Sequence, residues 1–218
     1  MIHLSKEESR VLGVLVEKAY TVPGTYPMTV NAIVSGCNQK NNREPLVEYD
    51  EARVLDALSG LREKQLAMIV DMSGSRVLKY RHLAREALHV EAPQLAVIAE
   101  LLLRGPQTLG ELRGRASRMQ HFETLEAVAH TLDSLMNLPE PLVRRVAPLP
   151  GTRAERFAQL LCPELHPVDA ATAPVREPSM PDALTIAQDP ALLERVEKLE
   201  TDVAELRRTV EQLKSLLS

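Results

Sequence analysis

The sequence predicts an α+β protein, mainly α-helical with small β-hairpins: two tandem winged helix-turn-helix domains and a C-terminal coiled-coil helix. Two observations predict this class. Three helical patterns lead into a two-strand hairpin twice, in residues 4–83 and 94–161, which is the element order of a winged helix. A heptad repeat then fills the end of the chain. The predicted parts are winged-helix domain 1 (1–90), winged-helix domain 2 (91–165), a Pro-rich flexible linker (166–190) and the coiled-coil helix (191–218).

The first repeat begins with strong helix signals. Ser5 and Glu8 have the spacing of a capping box, and Pro23-Gly24 ends the helix that follows them. Thr29 is a good N-cap for a second helix, whose apolar face includes Cys37.

The third helix of the first repeat is predicted from about Asp50 to Gln65, with an inward face made of Val54, Leu55, Leu58 and Leu61. Two β-prone runs, Ala67–Met72 and Arg76–His82, flank Ser73-Gly74-Ser75. This arrangement predicts a hairpin.

The second repeat has the same order. Its first helix ends at Gly105-Pro106, and Thr108 with Glu111 forms a second capping box. A third helix is predicted from about Thr124 to Asn137, with an inward face made of Leu125, Val128, Leu132 and Leu135. The β-prone runs Leu142–Val146 and Glu155–Leu161 predict a longer hairpin.

The linker and the C-terminal seam are distinct in composition. The linker contains the prolines Pro167, Pro174, Pro178, Pro181 and Pro190, which exclude a helix. The dimerisation seam has β-branched or leucine residues at a positions and leucine at d positions, a pattern that favours a parallel dimer. The a positions are Val196, Val203, Val210 and Leu217, and the d positions are Leu192, Leu199, Leu206 and Leu213. A single amphipathic helix packed on the body is the alternative, but it would usually have a wider apolar face.

Composition restricts the function classes. Residues 1–165 carry 20 Lys and Arg against 20 Asp and Glu, so the predicted folded part has no net formal charge. It is not the basic body of a strong non-specific nucleic-acid binder. The 3% of aromatic residues argues against single-stranded nucleic acid, which needs stacking platforms. Two isolated cysteines and the absence of a signal peptide or membrane span predict a cytoplasmic protein.

The candidate DNA contacts in the first repeat lie in an amide-rich loop and on the third helix. The loop offers amide and cationic side chains suited to base edges and phosphates, and Arg53 lies on the helix that would enter the major groove. The loop candidates are Lys40, Asn41, Asn42 and Arg43. The alternative is a polar turn whose side chains bind backbone groups, since Asn is also a turn residue.

The second repeat offers more arginine, a residue whose planar fork suits phosphate. One group of candidates falls between its second and third helices, and the other lies on or beside its hairpin. The first group is Arg113, Arg115, Arg118 and His121, and the second is Arg144, Arg145 and Arg153. The alternative is that some of these pair with Glu123, Glu126 or Glu155 on the surface.

One string of residues is distinctive enough to indicate a family. Cys37-Asn38-Gln39-Lys40-Asn41-Asn42-Arg43-Glu44-Pro45 follows Tyr26-Pro27-Met28-Thr29-Val30-Asn31-Ala32. With Leu112–Met119 and Pro150–Arg153, these segments resemble the YceH family of bacterial proteins. The resemblance covers about residues 4–162 and implies a tandem winged-helix fold and a cytoplasmic setting. It implies no activity and no site residues.

Two functions follow from these patterns. The first is a non-enzymatic, dimeric regulator of transcription that binds duplex DNA, with two-fold symmetry imposed by the coiled coil. The second is a protein-interaction scaffold of winged-helix type, analogous to segregation and condensation protein B, because fold alone does not assign function. The sequence has no phosphate-binding glycine loop, no clustered histidines and no paired cysteine ligands. We therefore expect no catalytic residue, no metal and no cofactor.

Overall fold

A computed structural model describes residues 2–71, 77–149 and 151–166. Three predicted features lie outside these residues: the hairpin turn at Ser73-Gly74-Ser75, the Pro-rich linker beyond residue 166, and the heptad seam from Leu192 to Leu217. Among the helices that the structure describes, none is long and apolar enough to cross a membrane.

Seven α-helices and six short strands occupy the described residues, so the protein is α+β. The first half consists of α1 (Lys6–Thr21), β1 (Met28–Thr29), α2 (Val30–Cys37), α3 (Glu51–Glu63), β2 (Ala67–Val70) and β3 (Lys79–His82). A short helix, α4 (Ala84–Ala87), leads to the second half. The second half consists of α5 (Ala92–Arg104), β4 (Gln107–Thr108), α6 (Leu109–Ala116), α7 (Leu125–Met136), β5 (Val143–Val146) and β6 (Arg156–Gln159).

Each half contains a three-stranded antiparallel sheet instead of the predicted two-strand hairpin. The strand orders, β1-β3-β2 and β4-β6-β5, are equivalent, so the repeat seen in the sequence is also a repeat of topology. The additional strands β1 and β4 have only two residues each. The second residue of each strand, Thr29 or Thr108, is also the N-cap of the helix that follows. Two residues are too few to produce an alternation pattern, which is why the sequence did not reveal these strands.

The predicted helix starts are confirmed by their hydrogen bonds. Glu8 N donates to Ser5 Oγ over 3.1 Å and Ser5 N donates to Glu8 Oε2 over 2.7 Å, which completes the first capping box. Thr108 and Glu111 form the second, with distances of 2.9 and 3.3 Å. Thr29 caps α2 as predicted. Local sequence therefore determines where these helices begin.

The inward faces of the two third helices differ from the prediction at one position each. Leu55 on α3 and Leu125 on α7 are both 40% exposed. The residues that are buried instead are Ala57 and Thr131. The buried sets are Val54, Ala57, Leu58 and Leu61 on α3, and Val128, Thr131, Leu132 and Leu135 on α7. Both sets follow the i, i+3, i+4, i+7 spacing of one helix face, and this geometry prevails over the hydrophobicity of the two leucines.

One continuous apolar core runs through both halves, and the described residues all belong to one compact unit. The most extensive packing between helices is that of α1 against α5, the first helices of the two halves. Gly13 on α1 makes this approach possible, because a Cβ built at Gly13 would lie 2.9 Å from Leu103 Cγ and Cδ2 on α5. Leu103 is fully buried, so its side chain has little room to yield.

We expect Gly13→Ala to destabilise the protein, although glycine is a poor helix former. Gly114 on α6 provides a matched control, since a Cβ there would meet nothing within 4 Å. Gly114→Ala should stabilise by up to about 1 kcal/mol through helix propensity, whereas overpacking at Gly13 should cost about 1–3 kcal/mol. Urea unfolding followed by circular dichroism measures both. Equal stabilities of the two variants would contradict the close contact of α1 with α5.

Candidate functional site

Two buried carboxylates lie where α1 meets α5. Glu17 on α1 and Glu100 on α5 are 1% and 0% exposed, and both contact Arg118, which follows α6. Arg118 Nη2 lies 2.7 Å from Glu100 Oε2, and Arg118 Nη1 donates to Glu17 Oε1. We call Glu17, Glu100, Arg43, Arg104 and Arg118 the interhelix charge cluster. It joins the two halves through charge as the surrounding leucines join them through apolar contact.

Arg43 is the most completely engaged member of this cluster. Its side chain has no exposed surface, and Arg43 Nη2 donates to Glu17 Oε2 over 2.6 Å. The remaining donors bind Glu17 Oε1, Gln39 Oε1 and the carbonyl oxygens of Gly36 and Asn42. A guanidinium has five N–H donors, and each of them is used here. The proposed contact of Arg43 with DNA is therefore corrected: this side chain holds its own loop to α1.

The cluster strongly favours the ionised form of Glu17. Burial alone would raise the pKa of the Glu17 carboxyl, but the hydrogen bonds and charge of Arg43, aided by Arg118, outweigh it and lower the pKa to about 2. Burial acts on Arg118 in the opposite sense, by lowering its pKa, and there the two carboxylates prevail and raise it. Glu17 and Arg118 thus each stabilise the charged form of the other.

The rest of the amide-rich loop is also held by its own chain. The side chain of Asn38 exchanges two hydrogen bonds of 2.8 Å with the backbone of Tyr49. Asn42 adopts a positive φ of 62° and accepts a hydrogen bond from Arg104. Lys40 and Asn41 remain exposed, and Lys40 forms an exposed pair with Glu48 at 3.5 Å. The backbone-binding interpretation thus accounts for Asn38 and for part of the contacts of Arg43, whereas the side chain of Asn42 binds the side chain of Arg104.

The arginines of the second half fall into different environments. Arg118 belongs to the charge cluster. Arg115 pairs with Glu111 at 3.1 Å and donates to Gln107 Oε1 over 2.9 Å. Arg113 is exposed and donates to the Glu123 carbonyl oxygen over 2.8 Å, and His121 is exposed. The structure therefore does not leave the four predicted residues of this segment as one free cationic patch.

The arginines near the second hairpin and on α3 also differ from one another, because some are paired or partly buried and others are exposed. Arg145 lies between Asp133 at 3.3 Å and Glu155 at 3.5 Å, and its guanidinium also lies over the Phe157 ring. The Nε atom of Arg144 is buried. Arg153 is exposed in the loop before β6, and Arg53 lies 5.6 Å from the centre of the Tyr49 ring. Pairing with Glu155, one of the sequence alternatives, is thus present.

The outer faces of α3 and α7 are poor in positive charge. The exposed residues of α7 include Glu126, His130 and Asp133, and the helix contains no Lys or Arg. On α3 the exposed charged residues are the acids Glu51, Asp56 and Glu63 and the bases Arg53 and Arg62. The exposed Leu55 and Leu125 lie on these same helices. Each face therefore combines an apolar residue with a neutral or acidic surround.

Cysteine and histidine chemistry is restricted by burial. Burial raises the pKa of the Cys37 thiol to about 12, so it is protonated near neutral pH and is a poor nucleophile. Burial lowers the pKa of His82 to about 4, so its ring is neutral there. Within the described residues, no group of three or more His, Cys, Asp or Glu side chains could hold a metal ion.

Glu17 and Glu100 were missed in the sequence, although a signal for them exists. Leu12-Gly13-Val14-Leu15-Val16-Glu17 and Leu95-Ala96-Val97-Ile98-Ala99-Glu100 match in hydrophobic pattern and end in the same acid. An acid at the same position of two apolar repeats indicates a shared buried environment. Arg10 was also missed: it is fully buried and donates to the carbonyl oxygens of Cys37 and Pro45 at 3.2 and 2.6 Å.

Comparison with known proteins identifies the family. Residues 4–152 match the family described as "Protein of unknown function, DUF480". The chain belongs to this family. The "UPF0502 protein" of Geotalea uraniireducens (strain Rf4) is 45% identical over 221 residues, covering 98% of each chain. That of Pelobacter propionicus is 47% identical over 217 residues, covering 97% of this chain and 96% of the relative. The YceH-type family predicted from the segments around Cys37–Pro45 is confirmed by these DUF480 matches.

The "UPF0502 protein" of Shewanella piezotolerans is 39% identical over 219 residues, which cover 98% of this chain and 99% of the relative. The similarity therefore extends over nearly the whole sequence and is not confined to one repeat.

We expect Arg43→Ala to destabilise this DUF480 protein by about 3–5 kcal/mol, because it leaves the buried Glu17 without its main partner. Lys40→Ala in the same loop is the matched control, and removal of its exposed pair with Glu48 should change stability by less than about 0.5 kcal/mol. Urea unfolding of the two variants tests this difference. A small effect at Arg43 would mean that the guanidinium is not needed to compensate Glu17.

Acid should weaken the protein through Glu17. Since its pKa in the fold is about 2, against an ordinary 4.5, its stabilisation is fully present above pH 4.5 and is lost as the pH falls towards 2. The shift corresponds to about 3 kcal/mol. Glu17→Gln should therefore be less stable than the parent at pH 6 and approach it near pH 2.

The control for this pH series is Glu48→Gln, whose exposed side chain should leave the unfolding free energy parallel to that of the parent protein. Comparison of variants also removes the contribution of His82, which all of them share. A constant gap between Glu17→Gln and the parent protein over the whole range would show that Glu17 does not titrate as described.

Proposed function

We propose that the two halves are tandem winged helix-turn-helix domains and that this DUF480 protein is a non-enzymatic module that binds a protein partner through α3 and α7. The observation that carries the proposal is the surface of α7, which exposes Glu126 and Asp133 and has no Lys or Arg. In a DNA-reading winged helix, the third helix lies in the major groove between two rows of phosphates. A helix without Lys or Arg offers the phosphates no cation of its own, and Glu126 would repel them, although Asp133 is paired with the neighbouring Arg145.

The winged-helix assignment rests on the repeated element order. In each half a helix, a short strand, two further helices and two strands follow one another, and the sheet order is the same. The third helix has one buried face and one open face in both halves. This order and this open helix support the assignment.

The composition of the α3 face points towards a protein partner as well. Three acids and two arginines give α3 a mixed exposed surface, and Leu55 adds an apolar contact point. Leu125 does the same at the start of α7. Mixed charge around exposed apolar side chains is typical of protein–protein contact surfaces. Two of the arginines predicted to contact DNA are instead paired with buried acids: Arg43 with Glu17, and Arg118 with Glu17 and Glu100.

Binding to duplex DNA is the second candidate, because several cations remain at the surface of the second half. Arg113, His121 and Arg153 are exposed, and Arg153 forms no ion pair among the described residues. These residues, with Lys40 and Arg53 from the first half, would contact phosphates along the backbone. They would do so beside third helices whose charges oppose the approach.

Fluorescence anisotropy with random duplex DNA over a salt series discriminates the two functions. We expect no sub-micromolar binding by the parent protein near physiological salt. The double variant Glu126→Lys, Asp133→Lys should gain salt-dependent binding, because it converts the α7 face from acidic to basic. Tight, steeply salt-dependent binding by the parent protein would instead favour DNA.

The protein partner is tested by quantitative affinity purification from the source cell. A partner that uses α3 or α7 should be recovered with the parent protein and lost with Leu55→Asp or Leu125→Asp. Leu149→Asp is the control, because Leu149 is also exposed, at 51%, but lies in the loop before β6. Equal recovery with all variants would place the partner surface elsewhere.

A further inference from the structure

Strand β2 lies at the edge of the first sheet. In the order β1-β3-β2 it pairs only with β3, and no described strand pairs with its other side. An unpaired edge presents backbone N–H and C=O groups that can hydrogen-bond another strand.

The register determines which groups face outward. Leu83 N donates to Leu66 O over 2.8 Å, so Leu66 and Leu83 form a hydrogen-bonded pair. In an antiparallel ladder such pairs alternate with pairs that do not exchange hydrogen bonds. Met68 therefore bonds β3, while Ala67 and Ile69 direct their N–H and C=O groups away from it. In agreement, His82 N, opposite Ala67, points away from β2 and donates to Tyr26 Oη over 2.6 Å.

The equivalent edge in the second half is protected, and that of β2 is not. Strand β5 has the sequence Val143-Arg144-Arg145-Val146, whereas β2 has Ala67-Met68-Ile69-Val70. Charged side chains are a common means by which proteins prevent edge strands from pairing. By register, Met68 corresponds to Arg144. The two repeats share a backbone arrangement but differ at the residue that would block pairing.

The space beside β2 is open. A groove of about 500 Å³ runs between α3 and β2, lined by Ser59, Arg62, Glu63, Ala67, Met68 and Ile69. Its helical wall carries one charge of each sign on adjacent residues, Arg62 and Glu63. A wall without net charge can face its own copy without like-charge repulsion.

We propose that β2 is an interface for a second copy of this chain, in which the two β2 strands pair antiparallel across a two-fold axis at Met68. Ala67 of each copy then lies opposite Ile69 of the other. The outward groups of both residues exchange hydrogen bonds, so the two sheets become one continuous sheet.

A second copy fits this edge because the pattern is self-complementary. The outward residues lie two apart, so reversal of the strand about Met68 places outward groups opposite outward groups. Met68 meets its own copy on the outer face of the sheet, where it lies beside Arg81, whose Nε donates to Met68 Sδ over 3.1 Å. Flexible methionine side chains are well suited to such contacts.

Disulfide trapping of the full chain tests this geometry. Opposed residues that exchange no hydrogen bonds have Cα atoms about 4.5 Å apart, within the range of about 4.4–6.8 Å that a disulfide spans. Met68→Cys, treated with diamide, should therefore give a covalent dimer on a non-reducing gel. The native Cys37 and Cys162 are both buried and should not react.

Leu125→Cys is the matched control, because Leu125 is also exposed, at 40%, and lies on α7 in the other half of the protein. We expect about ten-fold more covalent dimer with Met68→Cys than with Leu125→Cys, since a disulfide requires specific geometry. Because both variants keep the C-terminal seam, any association through it affects them equally. Equal amounts of covalent dimer, or none with either variant, would overturn the proposal.

Hydrogen exchange provides a second readout that needs no cysteine. The amides of Ala67 and Ile69 should exchange more slowly as the protein concentration rises. Met68→Arg, which gives β2 the residue found on β5, should remove this concentration dependence while leaving the melting temperature at low protein concentration nearly unchanged. Concentration-independent, fast exchange at both amides of the parent protein would exclude pairing through this edge.

Discussion

The burial of two carboxylates between α1 and α5 is the constraint on which the rest of the structure depends. A charge removed from water must be matched by hydrogen bonds and opposite charge, or it destabilises the fold by several kcal/mol. Arg43 and Arg118 supply this match from two different loops. Glu17 therefore holds the loop after α2, and Glu17 and Glu100 together hold the segment after α6.

Sequence patterns were most informative where the causes of structure are local. The capping boxes at Ser5 and Thr108 act within three residues, and both were identified correctly. The interhelix charge cluster joins residues that are far apart in sequence, such as Glu17 and Arg118, so no local sequence pattern predicts it. For the same reason Arg43 and Arg118, assigned to DNA from their type and neighbours, are found in structural roles. The buried faces of α3 and α7 are rotated slightly from the predicted ones, and this rotation leaves Leu55 and Leu125 exposed.

The first 165 residues have no net formal charge, and the structure shows how their positive and negative charges are distributed. Much of the positive charge lies inside or is paired on the surface, as with Arg43, Arg118 and Arg145. The third helices are left mixed or acidic. The two repeats also diverge at their sheet edges, where one exposes only uncharged side chains and the other carries two arginines. Duplicated backbones thus present different surfaces, and the differences lie where partners would approach.

The packing of α1 against α5 means that one repeat is not a complete folding unit, because the two repeats share a single core. Cutting the chain between the repeats, near residue 90, would expose the apolar faces around Gly13 and Leu103 and separate Glu17 from Arg118, which would stay with Glu100 in the second half. Neither half would retain a complete core. Residues 2–166 should therefore melt in a single transition, and a shortened version of this protein should keep both repeats together.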